Sequence, residues 1–240
     1  MSLPPEERPL LVLLPGLDGT GVMFEPFLAA VPDFEARVVR YPEALVSYAA
    51  CIHHARTLLP QDRPYVLLGE SFSGPVALAL AAERPEGLRA LVLCGTFARN
   101  PRPGLAWTAP LLRLLPPLRL PVGAVRFLLL GRWATGPLMD RVRRVLPAVP
   151  KATLRDRLLA VIDVDQTALL ARIQVPVLAL VAAHDRLVPL AAVRHLKAHL
   201  PGLDAARLQG PHWLLQTRPD AAAQALRDFL GRIGSAAGRP

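Results

Sequence analysis

Three residues far apart in the chain could perform nucleophilic chemistry together. Ser71 lies in G-E-S-F-S-G (Gly69 to Gly74), Asp185 in H-D-R-L-V-P, and His212 in G-P-H-W-L-L. A serine hydroxyl is a weak nucleophile until an imidazole takes its proton, and a carboxylate must hold that imidazole in the right tautomer. Each residue also has a plainer reading: Ser71 and Asp185 as helix caps, His212 as a surface histidine. Their occurrence after successive strand-like runs, in the order Ser, Asp, His, favours the chemical one. A fourth piece, L-L-P-G-L-D-G-T-G (Leu13 to Gly21), follows the first strand-like run. It lacks the Lys-Ser/Thr of a P-loop and does not fit G-x-G-x-x-G. As an oxyanion hole it makes more sense, with the Leu17 N–H paired with the Phe72 N–H to bind a developing alkoxide.

These residues need a scaffold that ends several strands on one side. A continuous apolar run at Leu10 to Pro15 reads as a strand buried on both faces, and similar runs recur at Ala36 to Arg40, Tyr65 to Gly69, Leu88 to Cys94 and Val175 to Val181, with a weaker one at Ala205 to Leu208. Helix-like stretches fall between and after them, at Val22 to Val31, Leu45 to Leu59, Pro75 to Glu83, Leu187 to Leu200 and Asp220 to Ile233. Strand then helix, repeated, predicts an α/β fold with a mostly parallel sheet. Ser71 then sits on a tight turn between a strand and a helix, which needs small neighbours. The usual G-x-S-x-G is imperfect here, since Ser73 stands at the second glycine and Gly74 follows it.

The rhythm fails from Phe97 to about Leu170, a segment with nine of the 26 prolines. It reads as an insertion of short helices, because proline fixes φ and breaks longer ones. Most of the charge lies there too. The 240 residues carry a formal net charge of +9, and Phe97 to Gln166 holds 12 basic against 4 acidic residues. Twenty-six of the basic residues are arginines, which a GC-rich genome could explain, but such a bias would spread them evenly. A solvated helix face is the plain reading of this excess; an acidic partner is the sharper one. No nucleic-acid recognition module accompanies it.

Composition bounds the rest. With 52% hydrophobic residues and a mean hydropathy of +0.32, the chain is no disordered segment. The uncharged stretch Ser71 to Ala82 is too short to cross a bilayer, which needs about 20 residues. The opening M-S-L-P-P-E-E-R-P lacks the basic-then-apolar pattern of a signal peptide. Two cysteines, Cys51 and Cys94, make neither a disulfide framework nor a zinc site and read as small buried hydrophobes. Adjacent His53 and His54 lack a carboxylate at ligand spacing, so no metal and no cofactor is expected. Asp18 reads as a turn former. Glu70 is expected to point away from Ser71. The expected location is cytoplasmic.

The pieces L-L-P-G-L-D-G, G-E-S-F-S-G, H-D-R-L-V-P and G-P-H-W-L-L-Q-T-R-P together resemble α/β-hydrolase-fold serine esterases of the lidded type, distantly the pimeloyl-carrier-protein methyl ester esterases. The resemblance implies Ser71 as nucleophile, His212 as base then acid, and Asp185 as its orienter. It implies a hydrolase core of residues 1–96 and 171–240, with 97–170 as a helical cap whose Trp107, Phe127 and Trp133, together with Trp213 of the core, line a substrate pocket while its arginines face water. Two departures stand out: Pro15-Gly16 replaces the frequent His-Gly, and the chain begins at what would be the third strand. A shortened sheet of about six strands is therefore expected. The function implied is cleavage of small-molecule carboxylic esters of short to medium acyl chain through an acyl-enzyme. Alternatives are hydrolysis of a carrier-protein ester or thioester, with an acyl carrier protein or an anionic surface docked on the basic cap, and a non-catalytic binding module on the same fold.

Overall fold

The computed structural model describes residues 9–117 and 121–237. Arg119 and most of the N-terminal stretch read above for a leader lie outside the described residues. In chain order the elements are β1 (Leu10–Leu14), α1 (Glu25–Ala30), β2 (Ala36–Val38), α2 (Tyr48–Thr57), β3 (Tyr65–Glu70), α3 (Gly74–Ala82) and β4 (Leu88–Cys94). They continue with α4 (Ala109–Leu114), α5 (Val122–Val125), α6 (Gly136–Ala148), α7 (Lys151–Asp163), β5 (Val177–Ala182), α8 (Leu190–His199), β6 (Asp204–Leu208), α9 (Leu214–Thr217) and α10 (Pro219–Ala237).

The six strands form one sheet in the order β2-β1-β3-β4-β5-β6, and every pairing is parallel. Among the described residues the sheet thus has the six strands expected from the sequence. Parallel strands need both faces covered, and the side chains alternate accordingly. Leu10, Val12, Leu14, Leu67, Leu91 and Leu93 face the layer of α2, α3 and α8. Leu11, Leu13, Val66, Leu68, Val92 and Leu180 face α1 and α10. The chain runs one way from β1 to β2 and the other way from β3 onward, so the topology switches between adjacent β1 and β3. Ligand sites in open parallel sheets lie outside the carboxyl ends of strands at such a point.

The segment between β4 and β5 is helical, with a small core of its own in which Val125, Leu130, Leu138, Met139, Val142 and Val145 gather around Met23. Two of its helices are longer than its prolines suggested. α6 and α7 each span 13 residues because Pro137 lies in the first turn of α6, Pro147 in its last turn, and Pro150 caps α7. At the start of a helix the missing N–H costs nothing. One expectation fails here: the arginines do not all face water. Arg157 is completely buried. Its guanidinium is satisfied by backbone carbonyls, which is what makes the burial tolerable. No helix among the described residues is long and apolar enough to cross a membrane.

Candidate active site

The turn after β3 is sterically tight. Ser71 has φ +50, one of two positive values outside glycine among the described residues. A serine in the left-handed region is strained, and neighbours must hold it there. A Cβ on Gly69 would lie 2.7 Å from the Ser73 carbonyl oxygen, and one on Gly74 would lie 1.8 Å from Thr96 Oγ1. The two glycines thus let α3 start directly against β3 and β4. Thr96, just past β4, donates a hydrogen bond to the Ser71 carbonyl.

The loops after β5 and β6 meet this turn. Ser71 Oγ lies 2.9 Å from His212 Nε2, and His212 Nδ1 lies 2.8 Å from Asp185 Oδ2. The other carboxylate oxygen, Oδ1, accepts the N–H groups of Leu187 and Val188, both at 2.8 Å, so the acid is fixed before it meets the imidazole. Asp185 therefore caps the turn into α8 and also faces His212. The two contacts use different carboxylate oxygens.

His212 is 3% exposed. Burial alone would push its pKa down; the Asp185 charge and hydrogen bond, with a smaller contribution from Glu70, reverse this and leave it above the ordinary value of 6.5. Glu70 is the acid the sequence reading set aside. Its side chain is 4% exposed and accepts from Gln216 Nε2 at 2.9 Å. Burial raises its pKa to about 7, with Gln216 and His212 pulling the other way.

The loop after β1 is held beside the Ser71 turn. Ser73 is fully buried, and its hydroxyl donates to the Pro15 carbonyl. With that proton committed, the Tyr41 hydroxyl, 2.9 Å away, donates to Ser73 Oγ. So the residue at the position of the second motif glycine ties the serine turn to the Leu17 loop. In the sequence Ser73 is only a departure from the motif's second glycine; nothing within G-E-S-F-S-G marks its partners, which lie 32 and 58 positions away. Leu17 lies two residues after Pro15 in the loop after β1, and Phe72 directly follows Ser71 in the turn.

Of the four aromatic residues considered for substrate binding, three are anchored to the loops bearing the acid and the imidazole. Arg186, next to Asp185, lies 4.0 Å over the Phe127 ring, and the Trp133 ring tilts against His184 at 5.1 Å. The Trp213 N–H donates to the Leu129 carbonyl at 3.1 Å. Trp107 is 73% exposed. Among the described residues no three His, Cys, Asp or Glu side chains are grouped to hold a metal ion.

Comparison with known proteins agrees with this architecture. The alpha/beta hydrolase fold family matches residues 40–219. A pimeloyl-[acyl-carrier protein] methyl ester esterase of Neisseria meningitidis is 31% identical over 183 residues, covering 70% of each chain. A Pseudomonas syringae protein carrying the name carbamate hydrolase RutD is 31% identical over 245 residues, 93% of this chain and 94% of that one. Among solved structures, a hydrolase from Pseudomonas aeruginosa superposes with a TM-score of 0.78 at 25% identity, over 94% of this chain and 91% of that one.

The buried Glu70 makes a prediction independent of any substrate. Its folded pKa, about 7, exceeds the ordinary 4.5, so its stabilising contribution is complete below 4.5 and is lost as pH rises through about 7. Glu70→Gln, a neutral isostere, should raise the Tm above pH 7 and leave it unchanged near pH 4. It should also lower the pKa of the His212 ring, followed by NMR, by removing one charge that raises it. An unchanged Tm at pH 8 and an unmoved His212 titration would contradict this assignment.

Proposed function

The chain belongs to the alpha/beta hydrolase fold family, and on that premise we propose that it is a serine hydrolase of carboxylic esters working through an acyl-enzyme. The observation that carries this reading is the continuous relay from Ser71 Oγ through His212 to Asp185, with links of 2.9 and 2.8 Å. In it His212 Nε2 takes the Ser71 proton as Oγ attacks the ester carbonyl. The Leu17 and Phe72 N–H groups hold the developing oxyanion, and Asp185 stabilises the imidazolium. Collapse breaks the bond to the alcohol, which leaves with the proton from His212. Water, deprotonated by His212, then attacks the acyl carbonyl; collapse returns the proton to Ser71 Oγ and releases the acid. No cofactor enters this sequence. Residues 97–170 act as a cap over the core of 1–96 and 171–240, with Phe127 and Trp133 packed on Arg186 and His184 beside Asp185, Trp213 next to His212, and Trp107 exposed. Turnover of p-nitrophenyl acyl esters of graded chain length tests the reading. Ser71→Ala should lower kcat by about 10⁴-fold or more, and wild-type turnover no faster than that of Ser71→Ala would overturn it.

A second reading concerns the partner. From Phe97 to Met139 there are six arginines and no acid. Leu105, Trp107, Leu111, Leu114 and Phe127 in the same stretch are each more than half exposed. A cationic, apolar surface of this kind suits an acidic protein that delivers an acyl group, and the Neisseria relative is named for a carrier-protein ester. The substrate would then be a carrier-bound acyl ester or thioester. KM for a carrier-protein-bound ester should rise steeply between 50 and 300 mM salt while KM for the free methyl ester stays flat, because screening weakens only the charged docking. Equal salt dependence of the two would remove this reading.

A further inference from the structure

Arg157 lies on α7, in the segment between β4 and β5, yet its side chain reaches into the core and is not exposed at all. Its guanidinium donates Nε–H to the Leu45 carbonyl at 2.9 Å, Nη1–H to the Leu17 carbonyl at 2.9 Å, and Nη2–H to the carbonyls of Pro42 at 3.1 Å and Tyr41 at 3.4 Å. One planar fork thus grips two loops. An apolar side chain could pack α7 without desolvating a charge; what the guanidinium adds is donors in fixed directions. The β1 loop is shaped to receive it. Gly19 has φ +73, and a Cβ there would lie 2.4 Å from Arg157 Nη1. The glycine-rich G-L-D-G-T-G, which fits no phosphate-binding pattern, therefore makes room for a guanidinium.

The grip falls on the peptide next to the Leu17 N–H. Three consecutive carbonyls around that amide each have a donor: Pro15 from Ser73 Oγ, Gly16 from the Gly19 N–H at 3.0 Å, and Leu17 from Arg157. Among the described residues every peptide bond is trans. The Leu17 N–H therefore points opposite to the Gly16 carbonyl, in the peptide whose carbonyl the Gly19 N–H holds; Arg157 holds the next peptide, Leu17–Asp18, so the Leu17 Cα between the two is fixed from both sides. Resting on the serine-hydrolase reading above, we propose that Arg157 is a positioning residue for the oxyanion hole, aiming the Leu17 N–H from the helical segment by holding the Leu17 carbonyl. The core alone does not complete the hole; α7 does.

The test is steady-state kinetics on p-nitrophenyl butyrate with wild type, Arg157→Lys, Arg157→Met and Gly19→Ala, each kcat normalised to the fraction of protein that a fluorophosphonate labels at completion. Gly19→Ala attacks the same contact from the loop side, with Arg157 still present. Loss of one oxyanion donor typically lowers turnover by about 10²–10³. Arg157→Met should approach that loss with KM changed less than about threefold, Arg157→Lys should fall between Met and wild type, and Gly19→Ala should lose kcat in the same sense. Methylguanidinium should partly restore kcat to an Arg157→Ala variant. A merely structural role predicts fewer labelled sites with normal kcat per site. So kcat per labelled site within about twofold of wild type in every variant that retains labelled protein overturns the proposal. Protein with no labelled sites in all the Arg157 variants, unrestored by methylguanidinium, overturns it equally. Failure of the underlying reading looks different: wild type itself would then turn over no faster than Ser71→Ala.

Discussion

β1 and β3 end side by side in a parallel sheet, and the chain after each must turn sharply without leaving its backbone groups unpaired. That constraint organises the rest of the site. After β3 the turn is so short that Ser71 adopts a left-handed conformation, with Gly69 and Gly74 pressed against Ser73, Ala77 and Thr96. After β1 the chain makes a longer excursion, and its carbonyls are taken one by one by Ser73, Gly19 and Arg157. The hydroxyl of Ser71 then protrudes where the loops after β5 and β6 deliver Asp185 and His212. A local strain is maintained by contacts from four strands' worth of loops, which is how such strain persists in a folded protein.

Electrostatics around the imidazole follow from the same burial. His212 and Asp185 are nearly sealed from solvent, and the carboxylate is fixed by two backbone N–H groups before it meets the ring. In low dielectric, burial disfavours the imidazolium and the nearby negative charge favours it; the charge wins, and the pKa lies above its ordinary value. Glu70 sits in the same buried region and is poised near neutrality, with Gln216 as its donor. Glu70, directly before Ser71, is thus part of the field that His212 experiences, although its side chain makes no direct bond to the ring.

The sheet was legible in the sequence because its central strands β1, β3, β4 and β5 are buried, almost wholly apolar runs; the edge strands β2 and β6 are more exposed and more polar. Ser71, Asp185 and His212 were legible because each stands directly after such a run. Contacts between distant residues were not. Arg157 looked like one more arginine in a basic segment, since nothing local distinguishes a guanidinium that meets four carbonyls from one that meets water. Ser73 looked like an imperfection in a glycine motif, and only the fold brings Pro15 and Tyr41 to it. The prolines of this segment do not all break helices: Pro137 and Pro150 stand at the starts of two 13-residue helices, where ring and helix are compatible, and Pro147 falls one residue before the end of α6. The basic excess kept its place between β4 and β5, but one of its charges proved to belong to the interior.

The central claim is that the strained Ser71 is a nucleophile activated by His212. Covalent trapping tests it without any assumption about substrate. Wild-type protein treated with a fluorophosphonate should gain the mass of one phosphonyl group, mapped by peptide mass spectrometry to Ser71, and His212→Ala should slow that labelling by about 10³-fold or more. An unlabelled wild-type protein, or an adduct on another residue with Ser71 unmodified, would contradict the account.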